Sequence, residues 1–463
     1  MGDALEREKA AIPDGLRGAG AGANPLSRIL GFRSLIRFAL PTMTVMVFMG
    51  LYTVVDTIFV ARFVDENALA AINVVCPVIN LIVGLAAMLS TGGSAIIARK
   101  MGAGDEERAR RDFTLIILAG AVLGVAVSVF GTVFIDGIVQ ALGAGRTLFP
   151  YCKSYLSVIL AFAPACVLQV LFQNLIVTAG RPGIGMLLAF GSGTANAVLD
   201  CVFMGPLRMG IAGAAVATGI GYAIPTVTGV AFFSVTKGSL RFRAPVLDAK
   251  TLGECCFNGS SEMVGQLASA VTTFLFNAGM MRLLGETGVA AITIIVFSQF
   301  LLSSLHFGFS MGVAPVISYN HGSGDRARLK RIYRGCLAFL AAVSLCVFVF
   351  AVSCREPLVG LFAPQSPFLR RLASDGLLLY SPAFLFCGLN IFASASFTAL
   401  SNGKDSAILS FLRTFGFVTI GLVALPRVLG TTGIWIAVPV AEACSLIVSA
   451  AFILRHRGRY GYL

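Results

Sequence analysis

The chain has 463 residues, of which 57% are hydrophobic and only 12% charged, and its mean hydropathy is +0.87. Soluble domains carry about 25% charged residues, so water is excluded as the main solvent. The formal net charge of +13 comes from 35 Lys and Arg against 22 Asp and Glu. These basic residues crowd short loops between apolar runs, which fits the positive-inside rule and argues against a nucleic-acid surface.

The chain opens on a mixed-charge, Gly/Ala-rich tail over 1–32 with no small-residue cleavage site. It reads as a disordered cytosolic tail that is not removed as a signal peptide. Apolar runs then recur, each long enough to cross a hydrocarbon core of about 30 Å as a helix. In chain order they fall at 36–60, 68–97, 113–138, 153–178, 184–204 and 210–235, then at 257–281, 288–317, 335–355, 376–400, 406–427 and 433–454. The expected fold is an all-α integral membrane protein with twelve transmembrane helices in two pseudo-symmetric six-helix bundles. The N-terminal lobe spans 33–235, a basic cytosolic linker 236–256, the C-terminal lobe 257–455 and a cytosolic tail 456–463. An even number of spans puts both termini on one side of the cell's inner (plasma) membrane. With that side the cytosol, 20 of the 35 Lys and Arg lie inside, in both tails, the linker and the loops at 99–111 and 326–334.

The eleven cysteines are scattered through the apolar spans without CxxC or Cys/His spacing, apart from the adjacent Cys255 and Cys256. They read as small hydrophobic residues and not as metal ligands. His306, His321 and His456 are likewise isolated. No membrane-placed Ser/His, His/Asp or metal cluster suggests an enzyme, and no cofactor motif is present.

The two halves repeat one another. ALAAI at 68–72 returns as GVAAI at 288–292, and the same offset of 220 aligns MGAGDEER at 101–108 with HGSGDRAR at 321–328. About a dozen of roughly forty positions are identical across this stretch, which marks a tandem duplication of a six-helix unit. Six is even, so both copies enter the membrane the same way and are related by an axis along its normal, with a cavity between them. The two glycine-rich loops follow helices and not strands, so they read as cytosolic hinges and not as nucleotide-binding loops.

A charged side chain in a membrane helix costs about 2.5–3.5 kcal/mol on insertion scales, so each one needs a reason. Asp56 lies six residues before Arg62, and Asp200 eight before Arg208, both at the outer ends of their spans. Asn196 shares the Asp200 face one turn deeper, and Thr218 reaches the same level on the sixth span. Two carboxylates at close range in a low-dielectric site hold a proton or a cation, and these hard oxygens suit Na⁺ and not zinc. The competing reading is a helix-tying hydrogen bond between Asn196 and Asp200. At the 220–223 offset the second half offers only Phe276, 416–419 and 420–423, so the carboxylate pair has no second copy.

Met49 and Tyr52 share a face with Asp56, and Gln169 and Gln173 form a polar face on the fourth span. These are substrate-cavity candidates, with packing as the plainer alternative. Glu262, near the inner end of the seventh span, is a further cavity candidate, with snorkelling or capping as its alternative. Arg413 and Glu442 fall near mid-membrane on the last two spans and are expected to form an ion pair; the alternative puts Glu442 in the cavity. Pro41 and Gly50 are candidate hinges in the first span.

Several segments together resemble the prokaryotic members of the multidrug and toxic compound extrusion (MATE) family. They are VVDTIFVARF (54–63), ARKMGAGDEERA (98–109), NAVLD (196–200), GIAGAAVAT (210–218), SSEMVGQ (260–266), HGSGDRARLKR (321–331) and GIWIAVPVAE (433–442). The resemblance runs from about Arg33 to Arg455. It implies antiport, in which H⁺ or Na⁺ enters as an amphipathic, often cationic organic compound leaves. It points to the same coupling positions and adds a backbone carbonyl near Ala214. The expected partners are the small-molecule cargo and membrane lipid, with the chain acting as a monomer. A flippase for lipid-linked saccharides is the rival reading, but its cavity calls for cationic walls, and the intramembrane charge here is mostly acidic.

Overall fold

The structure, a computed structural model, describes residues 24–29, 31–63, 66–236, 238–362 and 366–462. Every regular element among them is helical. The N-terminal half comprises α1 (Phe32–Phe63), α2 (Glu66–Gly102), α3 (Glu106–Val133), the short α4 (Ile135–Ala141), α5 (Phe149–Ala161), α6 (Ala163–Thr178), α7 (Pro182–Met204) and α8 (Gly210–Val235). The C-terminal half comprises α9 (Ala249–Gly322), α10 (Arg326–Ser353), α11 (Arg355–Phe362), α12 (Pro367–Tyr380) and α13 (Ala383–Ala399). It continues with α14 (Gly403–Phe411), a π-turn (Leu412–Gly416), α15 (Phe417–Leu429) and α16 (Thr431–Tyr460).

Among the described residues nine helices are long and apolar enough to cross a membrane, or eleven with each of two bent pairs counted as one span. The 74 residues of α9 would reach roughly 110 Å if straight, far beyond one crossing. The chain instead reverses at Gly285, where φ is 63° and ψ −152°. A Cβ on Gly288 would stand only 3.0 Å from the carbonyl oxygen of Met280, eight residues back. Glycine alone takes that backbone conformation without a Cβ penalty. Divided there, α9 supplies two crossings, 249–284 and 286–322, where the sequence places two spans.

Helix boundaries differ from the sequence reading where proline and polar caps intervene. The tenth span begins at Pro367, capped by Ser366, whose hydroxyl accepts from the Leu369 amide at 3.3 Å. The linker is helical from Ala249 on, because Asp248 caps α9 through the amides of Lys250 and Thr251. Hydrogen bonds from Thr251 hold the exposed Asp248 carboxyl below its ordinary range. The last helix runs to Tyr460, so most of the expected C-terminal tail is helix, and Tyr462 is buried against Tyr333. Residues 24–29, expected in a disordered tail, form an ordered turn with Leu26 fully buried. On α3, Val122, Val129, Phe130 and Val133 face outward, a surface suited to lipid.

The repeat is visible in the backbone. α5 and α6 meet at a 53° bend and α12 and α13 at 54°. The helices after the bends start at Ala163 and Ala383, 220 residues apart, beside Pro164 and Pro382, which lack the amide a continuous helix needs. Asp105 and Asp325 cap α3 and α10 alike, accepting from the amides of Arg108 (3.3 Å) and Arg328 (2.9 Å).

The halves also meet reciprocally. A Cβ on Gly102 would lie 1.9 Å from the Tyr319 carbonyl oxygen, and one on Gly322 would lie 2.0 Å from that of Arg99. The four positions are related by the same offset of 220, as a pseudo-two-fold axis requires. The tight contact continues along α2, where a Cβ on Gly92 would lie 2.0 Å from the Cys255 carbonyl oxygen and one on Gly259 1.9 Å from that of Met88, and it loosens only beyond, to 3.3 Å from Gly84 to Gln266 and 3.4 Å from Gly50 to Leu301. The lobes are thus pressed together at the end that carries the 103–105 and 323–325 turns.

Candidate functional site

The first cluster lies in the N-terminal lobe, where α1 and α7 run parallel. Phe48 packs on Phe190 with ring centroids 4.2 Å apart, and four residues later the Tyr52 hydroxyl donates to Asn196 Oδ1. Successive contacts advance together on both helices, so the level of Asp56 on α1 matches that of Asp200 on α7, each one turn beyond a hydrogen-bonded partner. The Asp56 side chain lies outside the described residues. Asn196 is 3% exposed and Asp200 fully buried, as expected of the face of α7 that packs inside the lobe. Ala214 is buried on α8 and Thr218 half-buried one turn on. A Cβ on Gly221 of α8 would lie 3.2 Å from the Asn196 Cβ, so α8 passes directly beside the pair. Among the described residues Asn196 Nδ2 has no hydrogen-bond partner. A buried carboxylate beside an amide oxygen is chemically able to bind a proton or a hard monovalent cation.

The C-terminal lobe holds a different cluster. Arg413 Nε donates to Glu442 Oε1 at 3.0 Å, and Asn390 Nδ2 donates to Glu442 Oε2 at 2.7 Å and to its backbone carbonyl at 2.8 Å. The two charged side chains are 13% and 6% exposed, so the pair is withdrawn from solvent. Arg413 lies in the π-turn, which widens the helix by one residue and turns the guanidinium toward α16. The Thr272 hydroxyl donates to the Thr414 carbonyl at 3.2 Å, so α9 takes up an acceptor that the altered turn exposes. Phe307 covers the other side of the guanidinium, 5.9 Å from ring centroid to Cζ. Glu442 is therefore fully engaged with Arg413 and Asn390.

Between the lobes is a third feature, a cavity of about 40 Å³ lined by Thr91, Ser94, Asn174, Glu262, Met311 and Ser318 together with small residues of α13. Both halves contribute to it. A volume near that of one water molecule is far below the roughly 300 Å³ or more that organic ligands occupy. Glu262 is within Coulombic range of Arg413. Of the cavity candidates read from sequence, Glu262 alone lines this space. Met49, Tyr52, Gln169, Gln173 and Glu442 do not. Gln169 and Gln173 are half-buried on α6, while their neighbour Asn174 reaches the cavity and donates to Ser90 Oγ at 2.6 Å. Pro41 lies within continuous helix, and Gly50 is buried against Leu301 of the opposite lobe, where it permits close approach.

Sequence reasoning missed Asn174 and Asn390. Asn390 stood as a lone amide inside an apolar span, and Asn174 beside the polar face of Gln169 and Gln173.

A family model described as MatE matches residues 41–202 and 263–422, one segment in each half. The multidrug export protein MepA of Staphylococcus saprophyticus is 23% identical over 441 residues, covering 92% of this chain and 94% of its own. MepA of Staphylococcus aureus is 24% identical over 452 residues, with the same two coverages. Among solved structures, a MATE in complex with MaL6 superposes with a TM-score of 0.89 at 23% identity, covering 95% of this chain and all of that one. An outward-facing multidrug resistance MATE transporter of the MOP superfamily gives 0.88 at 22%, covering 96% of this chain and all of that one. The shared fold and the two matched segments, which together span most of both halves, have one consequence: the chain is a member of the MatE family.

Proposed function

We propose that this protein is a secondary antiporter that exports organic, cationic or amphipathic compounds in exchange for H⁺ or Na⁺. It works as a monomer in the bacterial plasma membrane, with both termini and the basic loops on the cytosolic side. The observation that carries the reading is the buried Asn196–Asp200 pair, tied by Tyr52 to the helix that bears Asp56. A buried carboxylate is stable in an apolar lobe when a proton or cation neutralises it, and each such event changes what the lobe tolerates nearby. MatE membership and the names of the MepA relatives support multidrug export as the cargo class.

In the proposed cycle the ion enters from outside at Asp56, Asn196, Asp200 and Thr218, with the Ala214 carbonyl as a further oxygen. Its binding disfavours cationic cargo, which leaves outward. The lobes then rock about the α2–α9 seam and release the ion to the cytosol. Each positive charge moving inward is driven by about 2.3 kcal/mol per 100 mV, so one or two ions sustain a useful cargo gradient. The small inter-lobe cavity fits a state that holds no cargo; Glu262 lines it and supplies negative charge for a cationic compound once the lobes part. Arg413 gives little support to a flippase for pyrophosphate-linked saccharides, because Glu442 already neutralises it.

The test is flux in proteoliposomes with an imposed Na⁺ or pH gradient and an organic-cation dye. Dye movement should follow one of the two gradients, and Asp56→Asn should remove that dependence without loss of protein. Dye flux indifferent to both gradients, or unchanged in Asp56→Asn, would overturn the coupling assignment.

A further inference from the structure

Residues 24–29 form a 3-10 turn over Pro25–Arg28 in which Asn24, Leu26 and Ile29 are all buried. Asn24 Oδ1 accepts from the Leu26 amide at 3.0 Å, while its Nδ2 donates to the sulfur of Met101 at 3.3 Å. Pro25 packs so closely on the turn between α6 and α7 that a Cβ on Gly180 would lie 2.4 Å from the Pro25 Cβ. Met101 and Gly180 both belong to the N-terminal lobe. On the other side Arg328, in the first turn of α10 in the C-terminal lobe, donates from Nη2 to the carbonyls of Ser27 (2.5 Å) and Ile29 (2.8 Å). Six residues thus hold loops of both lobes, at the end where Gly102 and Gly322 close the seam.

We propose that residues 24–29 are a strap that locks the lobes together at their basic-loop end and stabilises the state closed on that side. The inference rests on the alternating-access part of the proposed function and on neither the coupling ion nor the cargo. Opening at this end must carry Met101 and Gly180 away from Arg328. The strap is then able to keep one set of contacts and not both. Contacts made in one state and lost in the other bias the equilibrium toward the first. Those lost include two hydrogen bonds from a charged donor, the stronger class. Leu26, fully enclosed here, anchors the turn while both sets of contacts hold. Release of the strap is accordingly one of the steps that opens the cytosolic side.

Ala103 and Ser323 are exposed pseudo-two-fold mates on the two closing turns, and so serve as reporters. Ketone-bearing residues at both positions, labelled with nitroxides in the full chain in nanodiscs, leave the native cysteines untouched. Electron–electron double resonance of the intact strap should give a dominant short distance. Arg328→Gln, Leu26→Asn and removal of residues 1–29 should each raise the long-distance population by about tenfold or more. Arg328→Lys, which keeps a charged donor, should restore part of the short population. An unchanged distribution in folded Arg328→Gln and Leu26→Asn would overturn the strap, even where the truncated chain fails to fold. The distance readout needs no cargo flux, so a failure of the antiport assignment would leave it intact and is separately visible.

Discussion

At the positions where the C-terminal lobe buries Arg413 and Glu442, the N-terminal lobe has Gly193 and Tyr222. Where the N-terminal lobe buries Asn196 and Asp200, the C-terminal lobe has Gly416 and Ile420. The bends at Ala163 and Ala383, the caps at Asp105 and Asp325, and the contacts of Gly102 and Gly322 nevertheless match at one offset. Backbone-determined features have stayed alike between the copies, because a misplaced proline, cap or Cβ disrupts the bundle itself. Side chains within each lobe have diverged. One lobe keeps an acid beside neutral oxygens, and the other keeps an acid neutralised by its own arginine.

The largest effect should come from Asp200→Asn. The change is nearly isosteric and removes the one described carboxylate of the N-terminal site, so gradient-driven efflux should fall to background while the protein still reaches the membrane. The matching change in the other lobe, Glu442→Gln, should leave the gradient dependence in place and lower stability instead. Efflux measured for both variants against Na⁺ and pH gradients breaks the comparison if the two behave alike.

Arg413→Leu probes the same contrast through stability. It leaves Glu442 buried with Asn390 as its remaining partner, and removing one member of a buried pair costs about 3–5 kcal/mol. The thermal transition in detergent should drop strongly. The double change Arg413→Met with Glu442→Leu should recover most of that loss, because two apolar side chains of similar size leave no charge to solvate. A double variant as unstable as Arg413→Leu would show that the pair has a task beyond neutralising itself.

How much of this was legible in the sequence depends on the kind of signal. Spans and duplication rest on long runs and many positions, so they can be read without coordinates. Asn196 and Asp200 stand out because polar side chains in an apolar span are costly, and the same reasoning singled out Arg413 and Glu442 as partners. Which residues face the inter-lobe cavity was not legible. Gln169, Gln173 and Asn174 lie within six positions of one helix, and which of them lines the cavity depends on how that helix is rotated against the opposite lobe, which puts Asn174 there. The π-turn at Arg413 shifts the helical register by one residue, which an ideal period cannot anticipate. The ordered turn at 24–29 was hidden because its polar groups are paired with Met101 and Arg328, both more than seventy residues away.

Gly102→Ala and Gly322→Ala test what the lobes share. Each new Cβ would meet a backbone carbonyl oxygen at about 2 Å, so the seam must shift, with a cost in the range of 1–3 kcal/mol for overpacking. Because the two contacts are reciprocal, both variants should open the basic-loop end by similar amounts, read as the distance between labels at 103 and 323. A large effect from one and none from the other would mean that the pseudo-symmetry of the seam is geometric only.

The smallest expected effect belongs to Tyr52→Phe. It removes one donor to Asn196 Oδ1 and leaves both side chains packed, since Tyr52 and Phe48 stack with centroids 6.5 Å apart. A hydrogen bond of this kind contributes about 0.5–1.5 kcal/mol, so the ion concentration giving half-maximal efflux should shift by roughly two- to tenfold. The direction distinguishes two roles. If the hydroxyl orients the amide oxygen toward the ion, affinity weakens. If it occupies an oxygen the ion would otherwise use, affinity strengthens.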